Sequence, residues 1–286
     1  MFPAEIPAGF AAFMAAQRLA AISAEVDGAV WCTVLTGDPG FIKPLDDRTI
    51  SLPAPNEFDP LSTAFEDESD IGMVVMSPER ARRVRVNGRA RRVGDRLLLR
   101  TEQVLGNCPK YLQIRAVTAV DLDHRPGPVG RSDALAAAQI AWIESADTFF
   151  IGSRSPRHGA DASHRGGMPG FVSVMSPTTL AWPDYVGNSF FMTLGNVELR
   201  SRAGLVFVDW STGATLQLTG HCRVDWDVPR AELPAGAQRR VEFHIESIVH
   251  VAHTSPLRWS LLGYSRFNPS TSRRHHSHAP HQEGRQ

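Results

Sequence analysis

The chain has 286 residues, 42% of them hydrophobic and 21% charged, which suits one large globular domain or two of ordinary size. Thirty Lys+Arg balance thirty Asp+Glu, so bulk attraction to nucleic acid or an anionic membrane has no support. No apolar run approaches the ~20 residues that span a bilayer, the N-terminus lacks a basic segment ahead of an apolar core, and Cys32, Cys108 and Cys222 form no CxxC, so a reducing cytoplasm is expected.

In chain order, Glu5 to Ser23 is Ala-rich, with Phe10, Phe13, Met14, Leu19 and Ile22 at helical spacing. Strands are predicted at Val30–Leu35, Gly40–Lys43, Thr49–Leu52, Ile71–Met76, Arg83–Arg91 and Arg96–Arg100. Asn107-Cys108-Pro109 reads as the start of a further helix. His124 to Gly130 is the best linker, and a helix capped by Ser132 or Asp133 runs to about Ser145. Strands follow at Thr148–Arg154, Gly170–Val174, Thr178–Trp182, Gly204–Asp209, Ala214–Asp225 and Arg240–Val251, with a helix over Asn188 to Glu198. After Ser265 the chain reads as a polar tail rich in His.

The pattern is said twice. Gly40-Phe41-Ile42 to Leu52-Pro53 matches Gly170-Phe171-Val172 to Trp182-Pro183 at an offset of 130, and Ile71–Met76 with Asn87-Gly88 matches Ala203–Val208 with Thr219-Gly220 at 132. A period this long is a duplicated domain rather than a solenoid unit. Residues 1–125 form one unit, 131–265 the second and 266–286 the tail. If the apolar runs starting at Trp31 and Phe149 correspond, the second copy carries a twelve-residue insertion containing Asp161–Gly167. That asymmetry predicts one working site and one supporting copy.

Ser163, His164 and Arg165 offer donors, and Gly166-Gly167 lets backbone approach a ligand, the makings of a phosphate cradle. The plainer reading is a surface loop. Asn188 or Ser189 suits a helix N-cap, an anion site. The corresponding stretch of the first copy, with Glu57, Asp59, Glu66, Asp67, Glu68 and Asp70, would repel phosphate and reads as an acidic solvated helix. The arginines between Arg80 and Arg96 alternate with Val84 and Val86, as on a half-buried strand, and lack the interleaved aromatics of a nucleic-acid surface. Cys108 reads as a small buried thiol. No metal-ligand spacing, P-loop, GxGxxG or GxSxG is present.

Ser163–Val172, Pro183–Asn188, Phe190–Asn196 and Leu216–Gly220, with Asn107–Tyr111, resemble the pyridoxamine 5′-phosphate oxidase-like family of FMN-binding split barrels. The resemblance covers roughly residues 25 to 250. It implies a mainly β fold with flanking helices, two tandem split β-barrels related by a pseudo-twofold axis, and FMN at the barrel–barrel interface. It places Ser163, His164, Arg165, Gly166, Asn188, Ser189, Thr193 and Gln217 at the cofactor, with His164 or Tyr185 as proton shuttles. The family's basic side chain on the helix is replaced here near Thr193. The implied function is FMN-dependent redox chemistry on a small molecule, with NAD(P)H or a reductase as electron donor and a homodimer left open. A haem-binding or haem-degrading split barrel and a non-catalytic flavin carrier or sensor are the alternatives.

Overall fold

The computed structural model describes residues 2–187 and 190–269. The first copy runs α1 (Ala8–Ala15), β1 (Leu19–Val26), β2 (Ala29–Thr36), β3 (Lys43–Pro44), β4 (Thr49–Pro53), β5 (Ser69–Ser77), β6 (Arg82–Val93) and β7 (Arg96–Gly106). After β8 (Ile114–Val120) and β9 (Val129–Ser132), the second runs α2 (Ala137–Ser145), β10 (Thr148–Ser155), β11 (Gly159–Gly166), β12 (Ser173–Ser176), β13 (Thr179–Tyr185), α3 (Met192–Leu199), β14 (Arg202–Val208), β15 (Thr215–Asp225) and β16 (Ala237–Val251). A last strand, β17 (Leu257–Gly263), pairs with β8.

The two large antiparallel sheets have one topology. The first has the order β2-β1-β5-β6-β7-β4-β3 and the second β11-β10-β14-β15-β16-β13-β12, so each strand of the first finds its counterpart nine strands later. Small details repeat too. Gly40 N–H donates to Ala15 O at 2.7 Å and Gly170 N–H to Glu144 O at 2.8 Å. Bulges fall between Asn87 and Gly88 and between Thr219 and Gly220. β1, β2, β4, β5, β6 and β7 send apolar side chains to one core and β10, β13, β14, β15 and β16 to another, so each sheet wraps around its own interior. Both barrels are mainly β, with helices at the flanks.

A third cluster joins the copies. Ala21, Cys32, Val34 and Val74 of the first meet Phe150, Ala162 and Val206 of the second. The contacts are reciprocal: β2 lies against β14 and β15, and β11 against β5 and β6. This is the arrangement of a pseudo-twofold axis within one chain. Two counterpart glycines set the distance. A Cβ at Gly72 would lie 2.4 Å from the Asp161 carbonyl carbon, and one at Gly204 would lie 2.5 Å from Val30 O. The barrels touch backbone to backbone there, and no side chain fits between.

Several expectations fail, two of them for one reason. The N-terminal helix stops at Ala15, because Leu19–Val26 is the first barrel strand. Leu19 to Ala24 are all buried, so neither face shows the alternation that betrays a strand. With that strand hidden in the sequence, the apolar runs at Trp31 and Phe149 look equivalent. The register pairs Ala20 with Leu35 and Phe149 with Arg165, so Phe149 answers to Ala20 and Asp161 to Trp31. There is no twelve-residue insertion; Asp161–Gly166 is strand, the counterpart of Trp31–Thr36, after a turn only one residue longer. The third miss is the acidic stretch, which is turns rather than helix. Asp59 is buried there, and Asp70 pairs with Arg89 and Arg154. Asn107–Tyr111 likewise forms no helix. The His-rich segment beyond Pro269 lies outside the described residues.

Candidate functional site

A cleft open to solvent lies where the two barrels meet. From the second copy, β11 contributes Ser163, His164, Arg165 and Gly166, β13 contributes Pro183 and Tyr185, and α3 contributes Thr193. From the first copy, β6 sends in Arg83 and Arg85, and the segment after β7 adds Asn107, Cys108, Lys110 and Tyr111. Four of these side chains are cationic and none is a carboxylate.

The carboxylates stand one layer back. Asp161, 2% exposed, lies 3.3 Å from Nη1 of Arg85 and accepts from Asn87 Nδ2 at 3.2 Å and Thr193 Oγ1 at 2.8 Å. Arg85 Nη2 also donates to Ser163 Oγ at 2.6 Å. Asp184 pairs with Arg239 at 2.9 Å and with Arg165 at 3.5 Å. Arg83 Nη1 donates to His164 Nδ1 at 2.7 Å.

This concentration of positive charge is costly. Burial, then Arg85 and Arg165, pull Arg83 down to about 9. Burial also lowers Arg85, opposed by Asp161. His164 falls well below the ordinary imidazole value through burial first and then Arg83, Arg165 and Arg115. Burial, then Tyr111, pushes Tyr185 up to about 12.

Twelve buried side-chain polar atoms lack a partner among the described residues, and five belong to residues lining this cleft: Nε of Arg83, Arg85 and Arg165, Nε2 of His164 and Oδ1 of Asn107. Unpaired buried donors are expensive, and four donors around one cation-lined space call for an anion. Aromatic rings also line the cleft. Tyr111 and Tyr185 rings lie 5.2 Å apart, and Phe171 and Phe190 also line it. Gly166 lets Tyr111 approach, since a Cβ there would sit 2.1 Å from Tyr111 O.

Of the residues expected at a cofactor, Ser163, His164, Arg165, Gly166, Thr193 and Tyr185 come together in this cleft. Asn188 and Ser189 lie outside the described residues, although Gly187 and Phe190 on either side line the cleft. Gln217 does not join them. It is fully buried on β15, facing the first copy, where its Nε2 donates to Asp59 Oδ2 at 3.2 Å. The twofold explains this: β15 serves the opposite side of the interface. Sequence reasoning missed Arg83, Arg85, Lys110 and Tyr111, which reach the cleft from the other copy. The signal was arginine at 83 and 85 where the repeat has Thr215 and Gln217.

No family profile matches the chain, and no curated protein does. Solved structures do. A HupZ protein from Group A Streptococcus matches at TM-score 0.33 and 9% identity, over 40% of this chain and 98% of its own. A putative pyridoxamine 5′-phosphate oxidase from Lactobacillus delbrueckii matches at 0.33 and 14%, over 41% and 94%. An FAD-binding protein from Mycobacterium smegmatis matches at 0.27 and 12%, over 43% and 98%. The solved structures to which this mainly β, twice-barrelled chain is similar include some named as pyridoxamine 5′-phosphate oxidases and as flavin-binding proteins, alongside HupZ.

Proposed function

We propose that the cleft binds FMN and that the protein is an FMN-dependent oxidoreductase acting on a small molecule. The observation that carries this is the set of unpartnered buried donors on residues of a cleft lined by four cations and two tyrosines. A phosphate answers the donors, and a flat ring answers the aromatic side chains.

Arg83, Arg85 and Arg165 would hold the phosphate, with Asp161 fixing Arg85 and Asp184 steadying Arg165. Tyr111 and Tyr185 would cover the ring and keep water out. Bound flavin would supply the two-electron chemistry. His164 accepts a hydrogen bond at Nδ1 and is held neutral, so Nε2 carries the proton and acts as a donor. Tyr185 keeps its proton at neutral pH and serves in the same sense. NAD(P)H or a reductase partner in the cytoplasm would provide the electrons.

The absorption spectrum of protein reconstituted with FMN and desalted tests this. Retained flavin bands, with reduction by NADH, NADPH or a reductase, are the expected result. Retained bands without reduction would make the protein a carrier. A Soret band on haem addition, with no flavin retained, would overturn the proposal.

A further inference from the structure

The pseudo-twofold axis demands a second cleft, related to the first. The registers name its residues. Ser163, His164 and Arg165 answer to Thr33, Val34 and Leu35. Arg85 and Arg83 answer to Gln217 and Thr215. Each cation or imidazole of the open cleft at these positions has a neutral counterpart.

We propose that the chain seals this second cleft itself, with the Asp59 carboxylate standing where the cationic cleft receives an external anion. Asp59 is 6% exposed. Its Oδ2 accepts from Thr33 Oγ1 and, at 3.2 Å, from Gln217 Nε2. Its Oδ1 accepts from the Leu61 amide at 2.8 Å. Thr33 and Gln217 come from opposite copies, and they are the counterparts of Ser163 and Arg85. A carboxylate bridging that pair does internally what a ligand's acidic group would do across the axis. Fewer donors suffice here, because one internal carboxylate carries less charge than a phosphate dianion.

The same relationship locates the ligand in the open cleft, a step that rests on reading that cleft as an anion site. Ser163 Oγ accepts from Arg85 Nη2, which leaves the hydroxyl proton free. At the counterpart, the Thr33 hydroxyl donates to Asp59. The external acidic group therefore sits against Ser163 Oγ and the Arg85 guanidinium.

Equilibrium dialysis with radiolabelled inorganic phosphate tests both parts. Wild-type protein should bind one phosphate per chain. The Asp59→Gly/Gln217→Arg variant, which vacates the internal carboxylate and restores a cation, should bind two, with affinity at the original cleft changed by no more than about twofold. Two phosphates on the wild type, or an unchanged count of one on the folded variant, overturns the inference. No phosphate on the wild type and one on the variant would uphold Asp59 as the seal and defeat the anion reading of the open cleft. Should the double variant not fold, Asp59→Gly alone is heated with and without acetate. A thermal midpoint raised by acetate in the variant and not in the wild type supports the seal; no rise in the variant overturns it.

Discussion

Nη1 of Arg83, on β6 of the first copy, donates to Nδ1 of His164, on β11 of the second, across 2.7 Å. Guanidinium has no acceptor, so Nδ1 must be the bare nitrogen and the ring proton resides on Nε2. The first barrel thereby fixes the tautomer of a histidine in the second.

This pairing gives a pH dependence with a definite sign. His164 is depressed in the folded protein, so below about 6.5 the unfolded chain takes up a proton the folded chain refuses. Its contribution is complete above that pH and is lost as pH falls toward the folded value, by up to about 1.4 kcal/mol per pH unit. Urea denaturation at pH 7.5 and 5.5 should show a smaller pH difference in His164→Gln than in wild type. An equal difference in both would assign the effect to other groups.

Arg165→Ala removes a cleft cation without stranding its carboxylate, because Asp184 retains Arg239 at 2.9 Å. FMN and phosphate binding should both weaken by about 1.5–3 kcal/mol if Arg165 makes a charge-assisted contact. Isothermal titration reads this directly, and unchanged affinity removes Arg165 from the site.

Cys32 and Cys222 are buried, whereas Cys108, expected from the sequence to be a buried thiol, is partly exposed on the cleft wall. Native protein should therefore take up one equivalent of a thiol alkylating reagent, at Cys108, and saturating FMN should slow the reaction. Mass spectrometry of labelled peptides identifies the residue. Labelling unaffected by FMN would place the ligand elsewhere.

Gly72→Ala and Gly204→Ala should destabilise similarly, by about 1–3 kcal/mol or more, because each forces a Cβ into the backbone of the other barrel. Exposed Gly9→Ala, with nothing within 4 Å of its new Cβ, is the control. Denaturant midpoints for the three variants make the comparison.

The duplication was legible because Gly-Phe turns and apolar strands recur in order, and turn chemistry is local. The strand Leu19–Val26 was not legible. It is buried on both faces and Ala-rich, so it carries neither alternation nor strong β propensity. Half of the cleft was legible for the same local reason: Ser163, His164 and Arg165 are consecutive. Arg83 and Arg85 looked like one polar face of a strand, and nothing near them in the sequence says that this face meets another barrel. Gln217 was assigned to the wrong side because strand identity alone does not say which copy a strand faces across a twofold.

Gly72 and Gly204 hold the barrels at backbone contact inside one polypeptide, and that has a genetic consequence. In an assembly of two identical chains, any codon change is expressed at both sites, so a carboxylate that plugged one would plug the other and abolish the protein's capacity altogether. Tandem fusion gives each half its own codons. Arginine at 85 and glutamine at 217, or a plugging aspartate at 59, can then arise separately, and one half is released to serve purely as a wall for the other.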